Sequence, residues 1–209
     1  MVIHFMALNA QNTAKRSNNK RERILNGALK AFAKKGFYNT RISEIAVEAG
    51  VADGTIYLYF KNKDDLLISL FEDRMDWLNQ RMERELADLS CPKEKIKKII
   101  ELHCLLALDD PDLAEFITVE LRQSSKFVKE YENPKFHNYL RILEGVLNEG
   151  QPELFQSDLN IRLIARAIFG ALDEVLLILT LGQIDPSEFQ IFIKQLTAFV
   201  LGGISRTKE

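Results

Sequence analysis

The sequence predicts an all-α protein, with an N-terminal three-helix helix-turn-helix head on a larger helical body that carries a four-helix dimer interface. Three observations lead there. Apolar residues recur every three to four positions along most of the chain, and no stretch alternates as a half-buried strand would. Prolines at 92, 111, 134, 152 and 186 fall where each would start or separate helices. The net charge of -2 is unevenly spread: residues 1–63 hold eleven Lys+Arg against four Asp+Glu, which leaves the remainder net -9. A basic head on an acidic body is the electrostatic footprint of a nucleic-acid binder whose second part does something else. We place the head at residues 18–78 and the body at residues 79–209. With 209 residues at 46% hydrophobic content, the chain can bury a substantial core.

The first helix is expected near Asn18 to Lys35, with Ile24, Ala28, Ala31 and Phe32 on one face and Gly36 as its stop. Before it, Met1 to Leu8 are apolar but too short for a signal peptide or a membrane span. The basic residues 15, 16, 20, 21 and 23 leave two readings open for this region, an arm reaching towards a DNA backbone or simple disorder. Thr40 is placed to N-cap the second helix, where Ile42, Ile45, Ala46 and Ala49 form one apolar stripe. Gly50 ends that helix in the left-handed C′ position. A third helix is expected from Asp53 through Phe60, with Ile56 and Phe60 inward and Thr55, Tyr57 and Tyr59 outward.

This tight pair of helices has an ordinary reading, a hairpin with two solvent-facing tyrosines. Two Tyr and a Leu exposed within three residues nevertheless want a partner. DNA supplies one: hydroxyls and backbone amides at a helix N-terminus suit phosphate oxygens, and aromatic edges suit thymine methyls.

After the head, Asn62 to Asp65 cap a long connector helix running from Leu66 to about Leu89. Further helices are expected at roughly 93–108, 112–123, 134–149, 158–181 and 187–204. The fourth of these holds only Asp173 and Glu174 as charges between Leu172 and Leu181, so it must be buried on more than one side. Arg162, Arg166, Asp173 and Glu174 argue against a membrane span. The next helix repeats the pattern with Phe189, Phe192, Ile193, Leu196, Phe199 and Val200. Two such helices meeting their symmetry mates would form the homodimer interface, with Leu176 and Phe192 expected there. Dimerisation suits DNA binding, because two recognition helices must reach successive major grooves.

Residues 40–66 closely resemble the DNA-binding signature of the TetR family of bacterial transcriptional regulators. The resemblance is carried by Ile45-Ala46, Ala49-Gly50-Val51, Gly54-Thr55, Tyr57, Tyr59-Phe60, Lys63 and Leu66. Ala52 departs from the pattern, since the family usually has there a Ser that caps the recognition helix. The resemblance implies that Thr40, Gly54, Thr55, Tyr57, Tyr59 and Lys63 touch phosphates or base edges of a double-stranded DNA operator. It also implies groove contacts from Arg41 and Ser43.

Two cysteines, Cys91 and Cys104, are too few for a disulfide framework and lack zinc-ligand spacing. Reduced thiols in a cytoplasmic protein are the expectation. No metal or cofactor is implied, and no Ser–His–Asp set, phosphate loop or close carboxylate pair suggests an enzyme. In the body, His103, Leu106, Phe116, Tyr139, Leu143 and Phe169 are candidates for an apolar ligand pocket, with plain core as the alternative for each. Arg122 stands in an apolar, aromatic neighbourhood and suits phosphate or carboxylate recognition, or a simple pairing with Glu120 or Asp173.

Residues 51–63, 120–124, Ile168-Phe169-Gly170 and Asp173-Glu174 are further similar to the FadR-type TetR regulators of fatty-acid degradation. That resemblance implies a repressor released by a long-chain acyl-CoA, an acyl tunnel lined by the apolar residues above with Asp173, and a basic mouth from Arg122, Lys126 and Arg141. Another apolar effector, such as a drug, or a constitutive DNA binder without effector, are the alternatives.

Overall fold

The computed structural model describes residues 2–121, 132–183 and 185–206. Their regular elements are all helical, and the only extended pairing among them is an isolated bridge between Phe155 and Ser205. No described helix is long and apolar enough to cross a membrane. The chain divides into two units, Met1–Phe71 with Glu120–Glu130, and Glu72–Val119 with Tyr131–Glu209.

The first unit is built on α1 (Val2–Lys35), α2 (Ile42–Ala49) and α3 (Asp53–Ile56), followed by the start of α4 (Lys63–Ala87). Helix α1 begins well before Asn18, because neither Gly nor Pro interrupts the chain until Gly27. Its buried face is Ile24, Leu25, Ala28, Leu29, Ala31 and Phe32, which packs on α2. Gly27 lets the two helices close: a Cβ there would lie 2.8 Å from the Ala49 amide nitrogen. Gly50 ends α2 at φ 61°, and the Val51 amide returns to the Ala46 carbonyl in a Schellman closure. Arg23 completes that end by donating to the carbonyls of Ala49 and Gly50, each at 2.7 Å.

Two expectations for the head need correction. Thr40 does not N-cap α2; Arg41 occupies that position, and its amide donates to the Glu44 carboxylate at 2.8 Å. The Thr40 hydroxyl turns back instead to the carbonyls of Ala31 and Gly36, at 3.1 and 2.8 Å, where α1 ends. The third helix is also shorter than expected. Its α-helical turn closes at Ile56, and tighter bonds from Leu58 to Thr55 and from Tyr59 to Ile56 carry the chain to Phe60. Ala52 offers α3 no side-chain acceptor at its start, and the Gly-Thr-Ile-Tyr run has weak helix propensity.

The second unit holds α5 (Pro92–Asp109), α6 (Pro111–Glu115), α7 (Pro134–Gly150), α8 (Ile161–Thr180) and α9 (Phe189–Ile204), the last entered through a 3₁₀ turn at Pro186–Glu188. Prolines start α5, α6 and α7, where a missing amide hydrogen costs nothing. Side-chain caps from Asp110, Asn133 and Asn160 hold the first turns of α6, α7 and α8. The helix expected at 112–123 widens to a π-turn over Phe116–Glu120, with the Thr118 hydroxyl bonded to the Ala114 carbonyl. Helix α8 lies against α5, α6 and α7, while α9 packs on α5.

Within one subunit α8 buries a single stripe, Ala165, Ile168, Leu172 and Leu176, and α9 buries Phe189, Ile193, Val200 and Ile204. Leu176 is therefore core of the subunit rather than part of its outer face, and Phe192 is half-buried. The apolar side chains left outside are Leu163, Leu181, Ile191 and Phe199, the last 72% exposed.

Candidate nucleic-acid interface and effector site

Around α3 the inward pair is as expected: Ile56 and Phe60 are buried. Tyr57 is 57% and Leu58 81% exposed, and Arg41, Ser43 and Gly54 are open to solvent as well. Thr55 and Tyr59 are half-buried; the Tyr59 ring leans on Phe60 at 6.4 Å between centroids. A Cβ at Gly54 would meet nothing within 4 Å, so another backbone can approach closely there. Exposed hydroxyl, guanidinium, aromatic and bare-backbone groups thus stand at the start of α2 and on or next to α3, and these residues form part of the exposed surface of the helix pair.

Thr40 and Lys63 stand apart from that surface. Thr40 is 2% exposed, with its hydroxyl engaged as described. The Lys63 ammonium donates to the carbonyls of Phe37, Tyr38 and Thr40 at 2.7, 3.2 and 3.1 Å and lies 4.6 Å from the Phe37 ring centroid. Partial burial lowers its pKa from the ordinary lysine value, against the opposing effect of Asp64. Both residues thus shape the corner between α1 and α2.

The same corner holds a residue the sequence reading had offered only as a possible partner of Arg122. Glu120, 4% exposed, accepts the Phe37 amide proton at 2.6 Å, beside Gly36 at φ +80°. Nothing in local spacing could reveal a contact across 83 residues. Tyr38, 61% exposed on the corner, was also missed; its only signal is an aromatic pair, Phe37-Tyr38, after a helix-ending glycine. Lys35, the last residue of α1, forms an ion pair with Glu44 on α2, and this bond, ahead of the Arg41 amide, lowers the Glu44 pKa.

In the second unit an aromatic cluster joins α5, α7 and α8. Phe169 meets Phe136 at 4.6 Å, Tyr139 at 5.6 Å and His103 at 6.0 Å between ring centroids, each edge to face. His103 Nδ1 and the Tyr139 hydroxyl are hydrogen-bonded at 3.0 Å. His103 Nε2 is shielded from solvent and has no hydrogen-bond partner among the described residues, although the residue as a whole is only half-buried. Burial lowers the His103 pKa to about 4, so the ring is neutral near pH 7. Burial foremost, then Cys104 and Asp173, raises that of Tyr139, and burial pushes the Cys104 thiol up to about 12.

Among the expected pocket residues, the structure brings His103, Tyr139 and Phe169 together. Asp173 is near enough to act on Tyr139, while Leu106, Phe116 and Leu143 are buried core. Arg122 and Lys126 lie outside the described residues; Arg141 is exposed on α7. Phe136 belongs to the cluster and was missed, though its place one helical turn before Tyr139 was legible. No group of three or more His, Cys, Asp or Glu side chains that could hold a metal occurs among the described residues.

Comparison with known proteins agrees with this arrangement. Residues 24–70 match the family described as "Bacterial regulatory proteins, tetR family", and residues 71–185 match "YsiA-like protein, C-terminal region". The chain is 41% identical over 161 residues to the Fatty acid metabolism regulator protein of Bacillus subtilis (strain 168), covering 77% of this chain and 83% of that protein. The crystal structure of the transcriptional regulator FadR from Bacillus subtilis in complex with stearoyl-CoA superposes with a TM-score of 0.78 at 36% identity, over 88% of this chain and 98% of the other. The fatty acid degradation regulator FadR from Bacillus halodurans gives 0.79 at 33% identity, over 87% and 98%. The basic helix-turn-helix head, the helical body and these matches agree: the chain belongs to the TetR family of DNA-binding transcriptional regulators.

Proposed function

We propose that this regulator is a homodimeric repressor that leaves its operator when a long-chain acyl-CoA binds its body. The observation that carries the proposal is the aromatic and apolar cluster of α5, α7 and α8, in a body similar to one that holds stearoyl-CoA. His103, Tyr139, Phe169 and Asp173 would line the acyl site, with Leu106, Phe116 and Leu143 behind them, and Arg122 and Arg141 would meet the CoA phosphates. Each methylene removed from water contributes roughly 0.8 kcal/mol, so long chains bind far better than short ones.

Exposed Leu163 on α8, Leu181 just past its end, and Ile191 and Phe199 on α9 support the dimer, since apolar surface of that kind wants a partner. Arg41, Ser43, Gly54, Thr55, Tyr57 and Tyr59 would form the DNA surface of each subunit, with Thr40 and Lys63 supporting it from behind. The protein acts by binding, in the bacterial cytoplasm where its operator lies, and carries out no reaction of its own. For release, the effector must prefer a conformation in which the two heads no longer fit successive grooves.

A gel-shift titration tests the reading. Palmitoyl-CoA at micromolar concentration releases operator DNA, whereas free CoA and acetyl-CoA do not. An operator complex untouched by palmitoyl-CoA would overturn it.

A further inference from the structure

A fatty acyl-CoA presents an unusual recognition problem. Where its apolar chain joins the polar pantetheine arm that leads to the nucleotide lies one small group, the thioester carbonyl, which accepts hydrogen bonds and donates none. Drawn in with the chain, that oxygen loses its water and needs a donor from the protein. The donor should sit among apolar walls, yet on a residue that is not wholly enclosed.

His103 has these properties. Its Nε2 is hidden from solvent, lacks a partner among the described residues, and lies among the rings of Tyr139 and Phe169. The other ring nitrogen, Nδ1, is held at 3.0 Å by the Tyr139 hydroxyl. A phenol is a much better proton donor than a neutral imidazole N–H, so the hydroxyl donates to Nδ1. The ring proton then resides on Nε2. Tyr139 thereby sets the tautomer, and Nε2–H becomes a fixed donor. Burial keeps the ring uncharged, so it suits a neutral carbonyl better than a carboxylate.

We infer that His103, with its tautomer set by Tyr139, donates the Nε2 hydrogen to the effector's thioester carbonyl and so distinguishes an acyl thioester from an apolar chain of equal length. This rests on the acyl-CoA reading above and adds to it the atom that reads the thioester. A site responding to any apolar chain would not need such a donor; a site that reads the activated form of a fatty acid does.

The test compares two ligands differing only at that carbonyl, palmitoyl-CoA and its thioether analogue S-hexadecyl-CoA, in release of fluorescently labelled operator. On the unaltered protein the thioether should require about ten-fold more ligand for half release, the effect of one lost hydrogen bond to a buried donor. In His103→Phe, the ratio between the two ligands should fall from about ten-fold to less than about two-fold, whatever change in potency both ligands share. His103→Gln, which keeps an N–H donor, should recover part of the preference, and thermal melting of each variant checks that it folds. Equal potency of the two ligands on the unaltered protein would overturn this inference and leave the effector reading in place. A preference for the thioester that survives in folded His103→Phe would also overturn it. Failure of both ligands to release the unaltered protein would overturn the effector reading itself.

Discussion

Replacing Lys63 with Met distinguishes two roles that a lysine beside a DNA-binding helix can play. If its ammonium grips a phosphate, the loss flattens the dependence of log affinity on log salt by about one unit in each subunit. The structure directs that ammonium to three backbone carbonyls, those of Phe37, Tyr38 and Thr40, and sets it against the Phe37 ring. Met keeps the aliphatic stem and removes only the donor. One hydrogen bond to a charged group contributes roughly 1.5–3 kcal/mol, but water reaches part of this corner and can replace some of what is lost. The expected destabilisation is therefore about 2 kcal/mol in all, a fall in Tm of about 4–8 °C for a chain of this size. Differential scanning fluorimetry reads the first quantity, and operator titrations at several salt concentrations, well below the melting transition, read the second. We expect a lower Tm with an unchanged salt slope, and Lys61→Met, at an exposed neighbour, as the melting control. A Lys63→Met protein that melts with the wild type yet loses a unit of slope would refute the assignment.

Other outcomes follow from the same geometry. Tyr57→Ala should weaken operator binding by roughly ten-fold, as measured by anisotropy, without changing the melting curve, because the ring is largely exposed. Phe199→Asp should shift the protein to monomer in light scattering across a dilution series while its helical circular dichroism persists; Leu176→Asp should unfold the subunit instead, since Leu176 is core. Gly150→Ala should destabilise by about 1–3 kcal/mol, because the new Cβ would fall 2.2 Å from the fully buried Phe155 ring; a Tm equal to wild type would mean the ring moves freely. His103 is neutral in the fold down to about pH 4, whereas the unfolded chain takes up that proton near 6.5. Between those values the unfolded state binds more protons, so this residue's contribution to stability is complete above pH 6.5 and declines as pH falls towards 4, by roughly 3 kcal/mol. Denaturation of His103→Gln across that window should show a shallower loss than wild type.

The parts of this fold that were legible depend on neighbours in sequence. Helix stripes such as Ala28 to Phe32, proline starts at 92, 111 and 134, and the left-handed Gly50 all follow from local rules of spacing and backbone freedom. What escaped depends on which polar group wins a competition in space. Thr40 suited a helix N-cap, but the carbonyls at the end of α1 took its hydroxyl first. Lys63 matched a family DNA-contact position, yet its reach to residues 37–40 appears only once α4 is folded beside that corner. For the effector site, the pocket list was an apolar inventory; that His103 and Tyr139 bond, leaving one nitrogen over, required the crossing of α5 and α7. The outward faces of α8 and α9 were half legible: excess hydrophobicity was visible, but which stripe served the subunit's own core was not.

The Glu120 carboxylate under the Phe37 amide has a consequence for anyone dividing this protein. A cut after residue 70, where the match to the N-terminal family ends, keeps α1, α2 and α3 of the head. It discards the acceptor of a buried amide proton, which would then have to find water or open the Gly36 turn. Such a fragment should show faster hydrogen exchange at Phe37 and Tyr38 than the full chain, while Ala46 and Ala49 in the middle and end of α2 exchange as before. The smallest self-sufficient head is thus discontinuous in sequence, and a graft of this DNA-binding module onto another body must bring its own carboxylate to that corner.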